Sequence, residues 1–145
     1  MQYRTLVLRS VAGTLLFAGA CADILMAKSG VEGMDPSVVV QRQLDAYNAR
    51  DLPAFAASYS EDVVLYRAPA VVPSISGKRE LSEFYRTKRF NLPHLHAELV
   101  HRAVVGDKVV DHERISGLRD EPVEAVVAYL VRDGLIRSVW LFQPD

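Results

Sequence analysis

The chain has 145 residues, 50% of them apolar and 24% charged, which suits one globular domain able to bury about two-thirds of its unfolded surface. A net charge of −1, from 17 basic and 18 acidic residues, excludes the strongly basic surface that nucleic acid or an anionic membrane selects. The single cysteine, Cys21, excludes an intrachain disulfide and any cysteine-built metal cage.

Residues 1–33 differ in kind from the rest. Arg4 and Arg9 precede an uncharged run from Ser10 to Ala22, which contains Val11, Leu15, Leu16, Phe17 and then Ala18-Gly19-Ala20. Basic, apolar and small residues in that order form the pattern of a secretory signal peptide, and the run is too short to span a bilayer. Cys21 directly after Ala20 resembles a bacterial lipoprotein site. A start of translation at Met34 is the rival explanation. The expectation is a leader over 1–33 and a domain over 34–145. The protein would be exported (periplasmic, secreted or lipid-anchored at Cys21), or cytoplasmic if translation starts at Met34.

Asp35 is a good N-cap and Pro36 suits the first helical position, so a helix runs to about Arg50 with Val40, Leu44 and Tyr47 on one inward stripe. Asp51 caps a second, short helix, Leu52 to Tyr59, and Val63-Val64-Leu65-Tyr66 reads as a strand. Arg67 to Gly77, with Pro69 and Pro73, is loop with at most a short strand. Gly77 opens a third helix through Arg89. Its inward face is Leu81, Phe84 and Tyr85, and its basic residues interleave with Glu80 and Glu83 as a solvated face. Four strands follow: Leu95 to Val105, Lys108 to Ser116, Pro122 to Arg132 and Leu135 to Gln143. Asp133-Gly134 favours a two-residue type I′ turn, and Gly106-Asp107 suggests another tight hairpin. Three helices followed by an antiparallel meander make an α+β plan.

The run Asp111-His112-Glu113-Arg114 places four ionisable residues inside one strand. With Gly106-Asp107 as a two-residue turn, Arg102 pairs with Asp111, His101 with His112 and Val100 with Glu113. Alternation then puts Arg102, Asp111 and Glu113 on one face with Glu98, Val104, Val109 and Ile115, and His101, His112 and Arg114 on the other with Leu99. Two carboxylates two residues apart lie ~6–7 Å from each other on that face. If buried, one would be pushed towards its neutral form while Arg102 held the other ionised, which is a candidate acid–base set.

The last hairpin is apolar on both faces, with Val126, Ala128, Leu130, Val139 and Leu141 on one and Val127, Tyr129, Val131, Ile136, Trp140 and Phe142 on the other. A sheet with one wet face alternates polar and apolar, so both faces need cover. Helices supply one cover. A second copy of the chain is the simplest supplier of the other, with Trp140, Tyr129 and His112 at the contact. His94 and His96 have metal-ligand spacing but no adjacent third ligand, so no metal site is assigned. No phosphate-binding glycine loop, Ser-His-Asp order or zinc signature occurs.

The stretches VVQRQLDAYNARDLPAF, SEDVVLY, SGKRELSEFY and VEAVVAYLVRDGLIRSVWLF resemble the nuclear transport factor 2-like superfamily, in particular its SnoaL-like and ketosteroid-isomerase-like members. The resemblance implies a cone: a curved mixed sheet with three helices on its concave face, enclosing an apolar pocket, in a protein commonly dimeric through the sheet. Ungapped matching places Gln43, Arg67 and Ala128 where ketosteroid isomerases of the family carry a Tyr, an Asp base and a protonated Asp, so that catalytic set is not retained. The Asp-Arg-Asp set of epoxide hydrolases falls on Asp111, Glu113 and Leu141.

The same matching turns the Arg102, Asp111 and Glu113 face towards the pocket. The expectation is a protein that encloses a small apolar or aromatic molecule and needs no cofactor. As an enzyme it would be an isomerase, cyclase or dehydratase working by proton transfer, with Asp111 and Glu113 catalytic and Tyr47, Tyr66, Arg67 and Arg102 binding the substrate. The alternative is a non-catalytic ligand-binding or dimeric interaction module of the same fold.

Overall fold

A computed structural model describes residues 34–144. The leader expected over residues 1–33, with Cys21, lies outside the described residues. Three helices, α1 (Pro36–Ala49), α2 (Leu52–Ala57) and α3 (Lys78–Lys88), accompany six strands. The strands are β1 (Tyr59–Arg67), β2 (Ile75–Ser76), β3 (His96–Val105), β4 (Lys108–Ser116), β5 (Val123–Arg132) and β6 (Leu135–Phe142). They form one curved open sheet in the order β2-β1-β6-β5-β4-β3, antiparallel except where β1 runs parallel to β6. None of the helices described is long and apolar enough to cross a membrane.

The helix starts follow their caps. The Asp35 carboxylate accepts from Ser37 N at 2.9 Å and the Asp51 carboxylate from Ala54 N at 3.0 Å, each satisfying a backbone donor that the helix leaves free. α2 stops at Ala57 rather than reaching Tyr59. Tyr59 instead begins β1 and is buried, because its strand pairs with β6 from that residue on. At the end of α1, Arg50 takes a left-handed φ of 55°, and its guanidinium reaches Pro93 O at 3.2 Å. Two residues earlier, the Asn48 amide donates to Ala97 O at 2.9 Å and accepts from Ala97 N at 2.8 Å. That side chain satisfies the open edge of β3 and docks α1 against it.

Asp133 and Gly134 have φ of 54° and 70°, the two positive values a type I′ turn requires. The β3–β4 register is as expected from Val105 with Lys108 to His101 with His112. A bulge between Leu99 and His101 then pairs Leu99, not Val100, with Glu113. Upstream of it the faces exchange. Leu99 and Ala97 turn inward, while Glu98 pairs with Arg114 on the outer face, their charged groups 3.5 Å apart. A second bulge, between Leu130 and Val131, shifts β5 against β6, so that Tyr129 pairs with Val139 and Ala128 with Trp140. Val139 and Leu141 therefore share the inner face with Val127 and Tyr129, and Trp140 and Phe142 share the outer face with Val126 and Ala128.

The core lies between the helices and the inner face. Tyr47, Phe55, Tyr59, Tyr85 and Phe90 interlock there with ring centroids 4.4–6.2 Å apart, mostly tilted or edge-on, the arrangement that aligns positive ring edges with negative faces. Gly117, just after β4, approaches backbone of the loop before β3 so closely that a Cβ would sit 2.3 Å from His94 O, and its φ is +80°. Only glycine fits that contact, which sets the course of the β4–β5 loop.

Candidate functional site

Inside the cone is a cavity of about 60 Å³. α1 supplies Gln43, Leu44 and Tyr47, and α3 supplies Phe84 and Tyr85; the inner face of the sheet supplies Tyr59, Leu65, Glu113, Val127, Tyr129, Val139 and Leu141. The walls are apolar or phenolic apart from Gln43 and Glu113 on the inside and Arg67, Arg89 and Gln143 towards the rim.

Glu113 is 5% exposed and accepts a long hydrogen bond, 3.4 Å, from the Tyr129 hydroxyl. Burial, reinforced by the nearby Asp111 charge, pushes its carboxyl up to about 7, against the opposing pull of the Tyr129 hydrogen bond and Arg102. The phenols around it move further from ionising. Burial pushes Tyr85 up to about 12 and raises Tyr47, Tyr59 and Tyr129 as well, so all four are hydrogen-bond donors at neutral pH. Gln43, also 5% exposed, has no hydrogen-bond partner for its Oε1 among the described residues.

Asp111 takes a different role from Glu113. It is fully buried on the same face, but both carboxylate oxygens are held by Arg102, through Nε and Nη2 at 2.7 Å each. Arg102 Nη1 continues to Gln41 Oε1 at 3.0 Å and Ser37 O at 3.3 Å. The pair is thus a bidentate clamp between β3, β4 and the start of α1, and neither residue lines the cavity. The expected Asp111/Glu113 set splits because the guanidinium fork opposite Asp111 occupies both of its oxygens.

Of the other residues singled out from the sequence, Tyr47 and Arg67 line the cavity. Tyr66 does not. Alternation from the buried Val63 and Leu65 turns it to the outer face, where it stacks on Trp140 with centroids 5.7 Å apart and planes 9° off parallel. Ala128 likewise faces outward, and Tyr129, expected at the outer face, points into the cavity. His101 and His112 pair across β3 and β4, and His112 meets Glu124 on the outer face. Among the described residues no three His, Cys, Asp or Glu side chains cluster as a metal site needs.

Sequence reasoning missed Tyr59, Tyr129 and Arg89 as cavity-lining residues. The β1–β6 register shifts between Tyr59 and Val64, so no simple alternation from Val63 through the exposed Glu61 marks Tyr59, whereas the β4–β5 pairing, which sets Tyr129 opposite Val109, would have brought Tyr129 inward.

Residues 40–139 match the profile of the SnoaL-like domain. The chain belongs to the SnoaL-like family. Its fold is shared with crystal structures across the nuclear transport factor 2-like superfamily. An uncharacterised cystatin-fold protein from Novosphingobium aromaticivorans has a TM-score of 0.68 at 21% identity, with 75% of this chain and 98% of that one covered. A protein provisionally described as a ketosteroid isomerase, from Kribbella flavida, gives 0.66 at 23%, covering 76% and 78%. One provisionally described as a polyketide cyclase, from Sinorhizobium meliloti, gives 0.63 at 19%, covering 74% and 99%. At these identities the likeness extends to the fold alone. No match was found among proteins of curated function.

Proposed function

We propose that this SnoaL-like protein binds a small, largely apolar molecule in its cavity and moves a proton on it without a cofactor, with Glu113 as the general base. The observation that carries the reading is the placement of Glu113: a carboxyl 5% exposed inside an apolar, phenol-lined cavity, where burial and the nearby Asp111 charge push it up to about 7. Such a group is basic enough to take a proton next to a carbonyl and acidic enough to return it elsewhere. The phenols of Tyr47, Tyr59 and Tyr85 stay protonated and supply donors for the enolate oxygen that this step creates. Return of the proton to another carbon gives an isomerase; loss of a neighbouring leaving group gives a dehydratase. Asp111 acts through Glu113, as the buried negative charge that helps to keep it basic.

Exchange of solvent deuterium into the carbon next to the carbonyl of 4-oxopentanoate, followed by NMR, tests the step. Catalysed exchange should rise with pH through a midpoint near 7, because only ionised Glu113 accepts the proton. A rate that falls across that range would make Glu113 an acid instead, and no catalysed exchange would leave a binding module.

A second reading concerns the outer face. Val126 and Phe142 are 40% and 48% exposed there, beside the Tyr66–Trp140 stack and Val110. We propose that a second copy of the chain covers them. Sedimentation should give a homodimer that Val126→Asp together with Phe142→Asp converts to a folded monomer; an unaltered dimer would place the contact elsewhere.

A further inference from the structure

Resting on the reading of the cavity as a ligand site, we propose that its ligands carry an oxyanion head, carboxylate or phosphate, seated among Arg67, Arg89 and Arg119 at the rim, with a slim tail entering the cavity. A depression of about 220 Å³ adjoins the cavity and shares Arg67, Arg89, Leu118 and Gln143 with its lining; Arg119 and Val123 complete it. The three arginines come from the end of β1, the C-cap of α3 and the β4–β5 loop. The parallel pairing of β1 with β6, continued through β5 to β4, puts the ends of β1 and β4 at one end of the sheet, where the C-cap of α3 meets them.

None of the three has a carboxylate partner among the described residues; Arg42, Arg50 and Arg79 also lack one, but Arg67, Arg89 and Arg119 share a single depression, while Arg86, Arg102, Arg114, Arg132 and Arg137 are paired. Arg67 and Arg119 are exposed. Arg89 sets its guanidinium over the Phe84 ring, 4.9 Å from the centroid, and its Nη1 donates to Lys88 O at 2.9 Å, which holds the cation at the mouth. Three unneutralised cations above a hollow select an anionic group.

The inner end is also built for a ligand. The Gln43 Oε1 atom is buried at the cavity wall with no partner, an acceptor whose burial is costly until a donor, from a ligand or water, reaches it. Size limits the tail. At about 10–15 Å³ for each water-sized occupant, 60 Å³ holds roughly four to six atoms, so the head must remain among the arginines. A short oxo or hydroxy acid meets both limits, and a polycyclic body meets neither without side-chain movement.

Protein NMR titrations with 4-oxopentanoate, its methyl ester and butyl phosphate separate the possibilities. The two anions should shift resonances of Tyr47, Leu65 and Val127 and saturate, with the neutral ester about tenfold weaker than its acid. Arg67→Gln with Arg119→Gln should weaken the anions by about five- to tenfold and leave the ester and the melting temperature unchanged. Acid and ester of equal affinity, or anions indifferent to the double variant, would overturn the arginine seat while the cavity stands. Shifts confined to the rim would overturn it too. If none of the three compounds perturbs the cavity, the ligand-site reading fails and takes this inference with it.

Discussion

Arg102→Leu should destabilise the protein by about 3–5 kcal/mol, because it strips the partner from a carboxylate that has no access to water. Asp111 is fully buried and receives two charge-assisted hydrogen bonds from one guanidinium, itself only 14% exposed. With leucine in its place the aliphatic bulk persists, but both oxygens lose their donors and the start of α1 loses its tie through Gln41 and Ser37. For a domain of this size that cost is a drop of roughly 10 °C or more in melting temperature. Arg102→Leu with Asp111→Leu should recover most of it, since removing both charges also removes the burial penalty. A single variant that melts within a degree or two of the parent would show that Asp111 is satisfied by something other than Arg102.

The plan of the fold was legible because its punctuation is local. Asp35 and Asp51 announce helix starts, Asp133-Gly134 announces a turn, and the strand runs between them have the right length. What was not legible is what bulges do. Neither Leu99-Val100-His101 nor Ile136-Arg137-Ser138 contains a glycine or proline to mark an extra residue, yet each bulge exchanges the faces beyond it. That is how Leu99 and Glu98 changed sides, and how Val139 and Leu141 came to face the cavity.

The spacing of Asp111 and Glu113 correctly put both on the buried face. It could not tell which one a cation would claim, because that depends on Arg102 reaching across β3 while α1 closes over it. The arginine rim was hidden for a related reason. Positions 67, 89 and 119 are remote in sequence and meet through the parallel pairing of β1 with β6, the first and last strands in chain order.

Glu113→Gln should separate stability from activity. The folded state holds the Glu113 proton up to about pH 7, whereas the unfolded chain releases it near 4.5. Between those values the native state binds more protons than the unfolded one, so stability falls as pH rises, by an amount on the order of 3 kcal/mol once pH exceeds 7. Below about 4.5 both states are protonated and this contribution is fully present. Glutamine cannot titrate and nearly matches the neutral acid in shape. The variant should therefore equal the parent at pH 4, exceed its stability at pH 8, and show a flatter profile between, as read from urea unfolding at each pH. Deuterium exchange into 4-oxopentanoate should meanwhile fall by about 10²–10⁴-fold, the contribution of one positioned base. The two readouts fail independently. Parallel stability profiles would mean that Glu113 is ionised in the fold like an ordinary carboxylate, and undiminished exchange would remove it from the chemistry even if the profiles diverge. Gain of stability together with loss of turnover is the signature of a charge kept in an apolar cavity for its reactivity, at a cost to the fold that holds it.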